Sequence, residues 1–133
     1  MSRILAVEDE PAILAYYKRL FESWGHEFIG VATAKEAIAR VQEEPKIDVL
    51  IVDLELKQGD LCGLKVLKYA DRVVPIVISG HSLEEVASRV EPHLNPLQQG
   101  RDWFFFAKPL FVLVPQDRER LQVILEAAGR NNV

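Results

Sequence analysis

The sequence predicts an α/β domain built on a doubly wound, five-stranded parallel sheet with helices on both faces. Short continuous apolar runs, typical of strands buried on both faces, alternate with segments of helical periodicity. Connections between parallel strands are right-handed and place helices on both sides of the sheet. The chain has 133 residues, of which 49% are hydrophobic, and contains no linker, which predicts a single domain over residues 1–133.

The apolar runs that predict the strands are residues 4–7, 28–31, 49–52, 75–78 and 103–106. Pro11 suits the first turn of a helix, and apolar residues recur at helical spacing from there to Gly25, which ends the helix. Thr33 and Glu36 form a capping box that starts the second helix, and Pro45 ends it.

The second half of the chain continues the alternation. A helix is predicted over residues 61–69, and another over 82–90, where the first residue is a serine N-cap followed three positions later by Glu85. Residues 92–102 contain prolines and a glycine and predict a loop, and residues 116–128 predict the last helix.

Composition excludes several classes of protein. A net charge of −4 argues against a nucleic-acid surface, which needs clustered Lys and Arg. The single cysteine, Cys62, excludes an internal disulfide and fits a reducing compartment. The apolar residues before Glu8 are too few for a signal peptide, and no apolar run reaches the length of a membrane span. We therefore expect a cytoplasmic protein.

Polar residues cluster where the predicted strands end. The carboxyl ends of parallel strands share one edge of the sheet, where such folds bind ligands. Glu8 and Asp9 follow the first strand, Asp53 the third, Ser79 the fourth and Lys108 the fifth. Carboxylates packed together repel one another unless a cation lies among them, and an all-oxygen ligand set selects Mg²⁺. An aspartate can attack phosphorus, and the product's charge then needs donors such as a lysine ammonium and a serine hydroxyl.

These residues lie in motifs that resemble the receiver domains of two-component response regulators, the family of the chemotaxis response regulator. The resemblance extends from Ile4 to about Gly129. It implies the flavodoxin-like strand order 2-1-3-4-5. The motifs that carry it are ILAVEDEP at 4–11, DVLIVDL at 48–54, VPIVISG at 74–80 and FFAKP at 105–109.

The resemblance implies a role for each residue at the strand ends. Asp53 matches the phosphoacceptor, Asp9 the direct Mg²⁺ ligand, Glu8 the acid that holds metal-bound water, and the backbone carbonyl of Glu55 the remaining protein ligand. The phosphoryl donor implied is a histidine kinase or a phosphotransfer protein.

The resemblance also implies a conformational switch. Ser79 matches the switch hydroxyl, Phe105 the switch aromatic that swings inward with it, and Lys108 the phosphate-binding lysine, joined to Pro109 by an expected cis bond. The face from the fourth helix through the fifth would then contact a downstream protein. Such a domain catalyses only its own phosphorylation and dephosphorylation.

The sequence departs from the family pattern in three segments. Lys57 stands where a proline is usual. The stretch between Ser79 and Lys108, which contains the predicted loop 92–102, is longer than usual, and residues 110–115 are unusually apolar. The apolar segment predicts either packing under the last helix or an exposed patch for a homodimer or another partner. The long stretch that contains residues 92–102 and the apolar segment 110–115 support an alternative, a phosphorylation-independent interaction module. The intact pocket disfavours this alternative.

A few residues near the pocket have less specific signals. Glu55 and His81, each two residues after a site residue, are candidates for tuning the phosphate lifetime, although a solvated loop histidine is the commoner case. Glu55 also stands where Mg²⁺-dependent aspartyl phosphatases need a second aspartate, which disfavours that enzyme class. His26 and His93 lack metal-ligand spacing and are expected on the surface, and Trp24 and Trp103 are expected to pack in the core.

Overall fold

The computed structural model describes residues 1–43, 46–54, 62–69, 73–93, 103–108 and 114–131. Its sheet has five strands in the order β2-β1-β3-β4-β5, and every pair is parallel, which confirms the predicted fold class. The strands are β1 Arg3–Val7, β2 Glu27–Val31, β3 Val49–Asp53, β4 Val74–Ser79 and β5 Phe104–Ala107. The helices are α1 Pro11–Ser23, α2 Ala34–Glu43, α3 Cys62–Leu67, α4 Leu83–Val90 and α5 Pro115–Asn131, and a short 3-10 helix covers Glu91–His93.

Two hydrophobic layers cover the two faces of the sheet. On one face, α1 and α5 pack side chains such as Phe21 and Leu125 against Ile4 and Ile51. On the other face, α2, α3 and α4 contribute residues such as Val66 and Val86, which pack against strand residues of β1, β3 and β4. Strands covered on both faces must be apolar throughout, and β3 is buried at every position.

The predicted signals at Gly25, Thr33 and Ser82 act as the sequence indicates, whereas Pro45, the predicted end of the second helix, lies outside the described residues. Gly25, with a φ of 88°, follows α1 in the left-handed region that L side chains rarely adopt. The Thr33 hydroxyl oxygen accepts from the Glu36 backbone N–H at 3.1 Å. The Ser82 hydroxyl oxygen accepts from the Glu85 N–H at 3.3 Å, which satisfies a free donor at the start of α4.

Several element boundaries differ from the prediction, some because strand pairing continues further than the apolar run. β3 includes Asp53, because this residue still pairs with Ile78 of β4. β5 starts one residue later than expected and ends at Ala107, which pairs with Ser79. α3 is shorter than the predicted 61–69, and α5 is longer than the predicted 116–128.

The prediction that His26 lies on the surface is wrong. Its side chain is buried, and its Nδ1 accepts a hydrogen bond from the Ser2 backbone N–H at 2.9 Å. The Ser2 hydroxyl donates to the Leu125 carbonyl of α5, so this contact joins the first strand to the last helix. Burial lowers the pKa of His26, and the nearby N-terminal ammonium lowers it further. As expected, Trp24 and Trp103 pack against the core.

Candidate functional site

The three predicted acidic residues meet at the carboxyl ends of β1 and β3. Val7 of β1 lies opposite Val52 of β3, so the residues that follow them, Glu8 and Asp53, are neighbours across the sheet edge. Glu8 and Asp53 are almost completely buried, and Asp9 is half-buried. One carboxylate oxygen from each of the three lies within 4.8 Å of the others, a spacing that fits one small cation.

This crowding is unfavourable for a charged Glu8. Burial, and after it the hydrogen bond and the charge of Asp53, raises the pKa of Glu8 from 4.5 to about 8. The Glu10 backbone N–H donates to Glu8 Oε1 at 3.1 Å and opposes part of this effect. The Glu10 N–H therefore holds the Glu8 carboxyl group in place, while burial and Asp53 disfavour its ionised form.

Lys108 supplies a positive charge directly to Asp53. Its Nζ lies 2.8 Å from each carboxylate oxygen of Asp53. The backbone N–H of Lys108 donates to the Ser79 carbonyl at 2.9 Å, which fixes the end of β5 beside β4 and aims the lysine at the acids. A charge-assisted pair of this length at a buried carboxylate is a strong contact, and it marks Asp53 as the centre of the site.

Ser79 is fully buried at the end of β4, beside this pair. Its Oγ accepts a hydrogen bond from the His81 backbone N–H at 3.0 Å, which holds the hydroxyl oxygen at the end of β4. The His81 side chain points to α4, where Nδ1 lies 3.2 Å from Glu85 Oε2. Phe105, one strand further along the sheet, is half-buried against the α2–α4 side of the core.

The sequence pattern of the response regulator receiver domain family matches residues 4–91. The chain belongs to this family. Solved receiver domains have the same fold along the whole chain. One from Clostridium thermocellum is 23% identical, with a TM-score of 0.73 and coverage of 98% of this chain and 96% of that one.

Two further receiver structures give the same result. A CheY-like domain from Methanospirillum hungatei JF-1 is 24% identical, with a TM-score of 0.73 and 98% coverage of both chains. The receiver domain of the Francisella response regulator 1452 is 17% identical, with a TM-score of 0.74 and full coverage of both chains. A search of curated protein sequences found no match. No helix among the described residues is long and apolar enough to cross a membrane.

The structure of this receiver domain brings together Glu8, Asp9, Asp53 and Lys108, with Ser79 beside them. Glu55, Lys57, Pro109 and most of segments 92–102 and 110–115 lie outside the described residues, as does the side chain of His93. The predicted metal-ligand carbonyl, the cis bond and the role of both unusual segments therefore stay predictions.

Sequence reasoning placed Tyr17 only among the apolar residues of α1. Its ring is buried and stacks on Phe21 at a centroid distance of 5.6 Å. Burial raises the pKa of Tyr17 above its usual range, and the charges of Glu8 and Asp53 raise it further, which places the phenol within electrostatic reach of the acidic pocket. A phenol at a position otherwise suited to leucine was the available signal.

Proposed function

We propose that this receiver domain accepts a phosphoryl group on Asp53 from a histidine kinase or phosphotransfer protein in the cytoplasm, in a Mg²⁺-dependent reaction. The observation that carries the proposal is the buried Asp53 carboxylate, held 2.8 Å from Lys108 and within 4.8 Å of oxygens of Glu8 and Asp9. The Asp53 carboxylate, which can act as a nucleophile, the Lys108 ammonium and the carboxylates that can bind a metal ion all lie at this edge of the sheet.

The residues present fit a magnesium ion. The clustered donors are all carboxylate oxygens, which hard cations prefer, and the described members include neither His nor Cys. The raised pKa of Glu8, caused first by burial and then by Asp53, means that a bound cation would favour its ionised form. Glu8, Asp9 and Asp53 would hold the ion, which neutralises developing charge on the phosphoryl oxygens when bound.

The reaction is a transfer between two nucleophiles. An Asp53 oxygen forms a bond to phosphorus while the bond from phosphorus to the donor's imidazole nitrogen breaks, and that nitrogen keeps the electron pair. Lys108 exchanges part of its contact with the carboxylate for the phosphoryl oxygens. In hydrolysis a water oxygen forms a bond to the same phosphorus while the bond from phosphorus to the Asp53 oxygen breaks, which releases inorganic phosphate and restores the carboxylate. The domain thus catalyses only changes to its own Asp53.

The phosphoryl charge would then shift a conformational equilibrium. Ser79, at the end of β4 beside Lys108, donates its hydroxyl to the phosphoryl group, and Phe105 turns inward beside it. A ligand shifts such an equilibrium only by its different affinity for the two conformers, and the Ser79 and Lys108 contacts provide that difference. The surface formed by α4, β5 and α5 then presents a changed face to a downstream protein.

Intact mass after incubation with Mg²⁺ and acetyl phosphate tests the proposal. We expect a phosphate-sized gain in the wild type that is absent in Asp53→Asn and absent with EDTA. Beryllofluoride binding, followed by calorimetry with and without Mg²⁺, covers the case of rapid hydrolysis. Failure of both assays in the wild type would refute phosphoacceptor function and favour a phosphorylation-independent interaction module.

A further inference from the structure

The residue before β1 joins the start of β2 to the last helix. Ser2 is completely buried, although its side chain is polar. Its backbone N–H donates to His26 Nδ1 at 2.9 Å, and its carbonyl accepts from the Glu27 N–H at 3.0 Å. Its hydroxyl donates to the Leu125 carbonyl of α5. Every polar group of Ser2 therefore has a partner, and these partners hold the residue between β2 and α5.

Gly129 provides the space for this arrangement. It is buried inside α5, one turn after Leu125. A Cβ atom at this position would overlap the Met1 carbonyl and would lie 2.9 Å from Ser2 Oγ. Glycine is a poor helix former, and here it allows another segment of the chain to approach the helix closely. We refer to Met1, Ser2, His26, Leu125 and Gly129 as the β1–α5 clasp.

The β1–α5 clasp requires a neutral His26. A neutral imidazole has one nitrogen that accepts a hydrogen bond, whereas both nitrogens of an imidazolium donate. Protonation would therefore set the Nδ1–H of His26 against the N–H of Ser2. His26 is only 7% exposed and Ser2 is not exposed at all, so water cannot replace the lost acceptor while the clasp stays closed. The Ser2 N–H and the imidazolium can both be hydrated only when the clasp opens.

The surroundings of His26 favour its neutral form. Charged groups on the adjoining residues of β1, β2, α1 and α5 are the Met1 ammonium, Arg3, Glu22, Glu27 and Glu126. Burial lowers the pKa of His26, the Met1 ammonium lowers it further, and Glu126 opposes both. Arg3 and Glu27 pair with each other at 3.0 Å, and Glu22 is exposed. The stabilisation that the clasp gives is therefore complete above the usual pKa of 6.5, and it is lost as pH falls through the lowered pKa.

We propose that the β1–α5 clasp is a pH-sensitive latch, which opens when His26 gains a proton and releases the segment before β1 from α5. The opening is local, because the contacts that depend on the imidazole lie at the amino ends of β1 and β2. The acidic pocket lies at the opposite, carboxyl ends of the strands, so the inference does not depend on phosphorylation of Asp53. Release uncovers Gly129 and the Leu125 carbonyl, a part of α5 that the clasp covers at neutral pH.

Hydrogen exchange of the full chain, followed by NMR, tests the latch. The reporters are the Ser2 and Glu27 amides, which donate within the clasp and beside it, and the amides of β3 serve as the reference. Between pH 6.5 and the lowered pKa, each pH unit raises the ratio of open to closed clasp by up to about tenfold. We expect the protection factors of both reporters, corrected for the intrinsic pH dependence of exchange, to fall at least about threefold between pH 7 and pH 5. Those of β3 should stay constant.

Three variants separate the role of His26 from other effects of pH. His26→Asn keeps an acceptor for the Ser2 N–H but does not titrate in this range, so its protection factors should not change with pH. His81→Asn is the matched control, because it removes an exposed histidine on the far side of the sheet order, and it should keep the wild-type pH dependence. Gly129→Ala should open the clasp at every pH, since the new methyl group displaces the Met1 carbonyl. Alanine favours the helix, so this variant should fold, which a thermal melt checks.

No fall in the protection of Ser2 and Glu27 in the wild type would overturn the inference. An equal fall in His26→Asn would also overturn it, because another titrating group would then be the cause. A parallel fall for the β3 amides would contradict a local opening, since the whole domain would then unfold. Full protection of both reporters in Gly129→Ala would show that the approach of Met1 to α5 does not hold the clasp closed, and would refute the latch.

Discussion

Glu8→Gln should remove most of the pH dependence of stability in the metal-free protein. The pKa of Glu8 is raised from 4.5 to about 8, so the folded protein holds a proton that the unfolded chain has already lost. A raised carboxyl pKa stabilises the fold fully below pH 4.5, and this stabilisation is lost as pH rises through 8. Each pH unit in that window costs up to about 1.4 kcal/mol.

Between pH 6 and pH 8 the wild type should therefore lose about 2 kcal/mol of unfolding free energy, or roughly 6–10 °C in Tm for a domain of this size. Glu8→Gln has no proton to lose in this range. The glutamine Oε1 can still accept from the Glu10 N–H, so the local hydrogen bond is retained. Thermal and urea unfolding in EDTA at pH 6, 7 and 8 measure both slopes.

Addition of Mg²⁺ provides an internal check on this prediction. The ion binds the ionised carboxylates, so it should stabilise the wild type more at pH 8 than at pH 6 and flatten its slope. Equal slopes for the wild type and Glu8→Gln in EDTA would refute the reasoning, because the loss of stability would then come from other groups.

Three further predictions concern single contacts. Lys108→Met should slow phosphorylation of Asp53 by acetyl phosphate by at least about tenfold, because it removes the cation that lies 2.8 Å from the acceptor; Lys65→Met, a lysine on α3, should match the wild type in the same mass assay. Ser82→Ala should lower the free energy of urea unfolding by about 1 kcal/mol through loss of the α4 cap, whereas Ser88→Ala inside the same helix should change it by less than about 0.5 kcal/mol; equal effects would contradict the capping role. The lowered pKa of His26 contributes stability above pH 6.5 that is lost at lower pH. His26→Asn, which keeps an acceptor for the Ser2 N–H, should therefore lose less unfolding free energy than the wild type between pH 6.5 and 5. Parallel plots of unfolding free energy against pH for the two proteins would contradict this role.

The sequence predicted the fold well because each of its signals is local. Strand apolarity, the caps at Thr33 and Ser82, and the glycine after α1 act within a few residues, and the structure confirms all of them. The strand ends were also predictable, since a parallel sheet brings all its carboxyl ends to one edge. For this reason the sequence alone places Glu8, Asp53 and Lys108 in one site.

The residues that sequence reasoning missed depend on contacts between distant segments. His26 is buried at the contact between two segments that are distant in the sequence. Ser2, the residue before β1, donates its backbone N–H to His26, and its hydroxyl donates to the Leu125 carbonyl of α5. Arg120 of α5 donates to the Phe105 carbonyl of β5, a contact that only the packing of α5 against the sheet brings about. Neither contact leaves a periodic or motif signal, so an isolated histidine or arginine is indistinguishable from a surface residue until the packing is known.

The pocket contains buried acids that reduce the stability of the fold, and the proposed function uses these same residues. Burial of Glu8 beside Asp53 is unfavourable, and an apolar pair at these positions would remove the like-charge repulsion. The surrounding elements nevertheless fix both groups: β1 and β3 through their register, and the Glu10 N–H through its bond to Glu8. The rest of the fold keeps the two carboxylates together despite their repulsion. The pocket therefore responds to added charge, because a bound cation would relieve the repulsion and a phosphoryl group would attract Lys108.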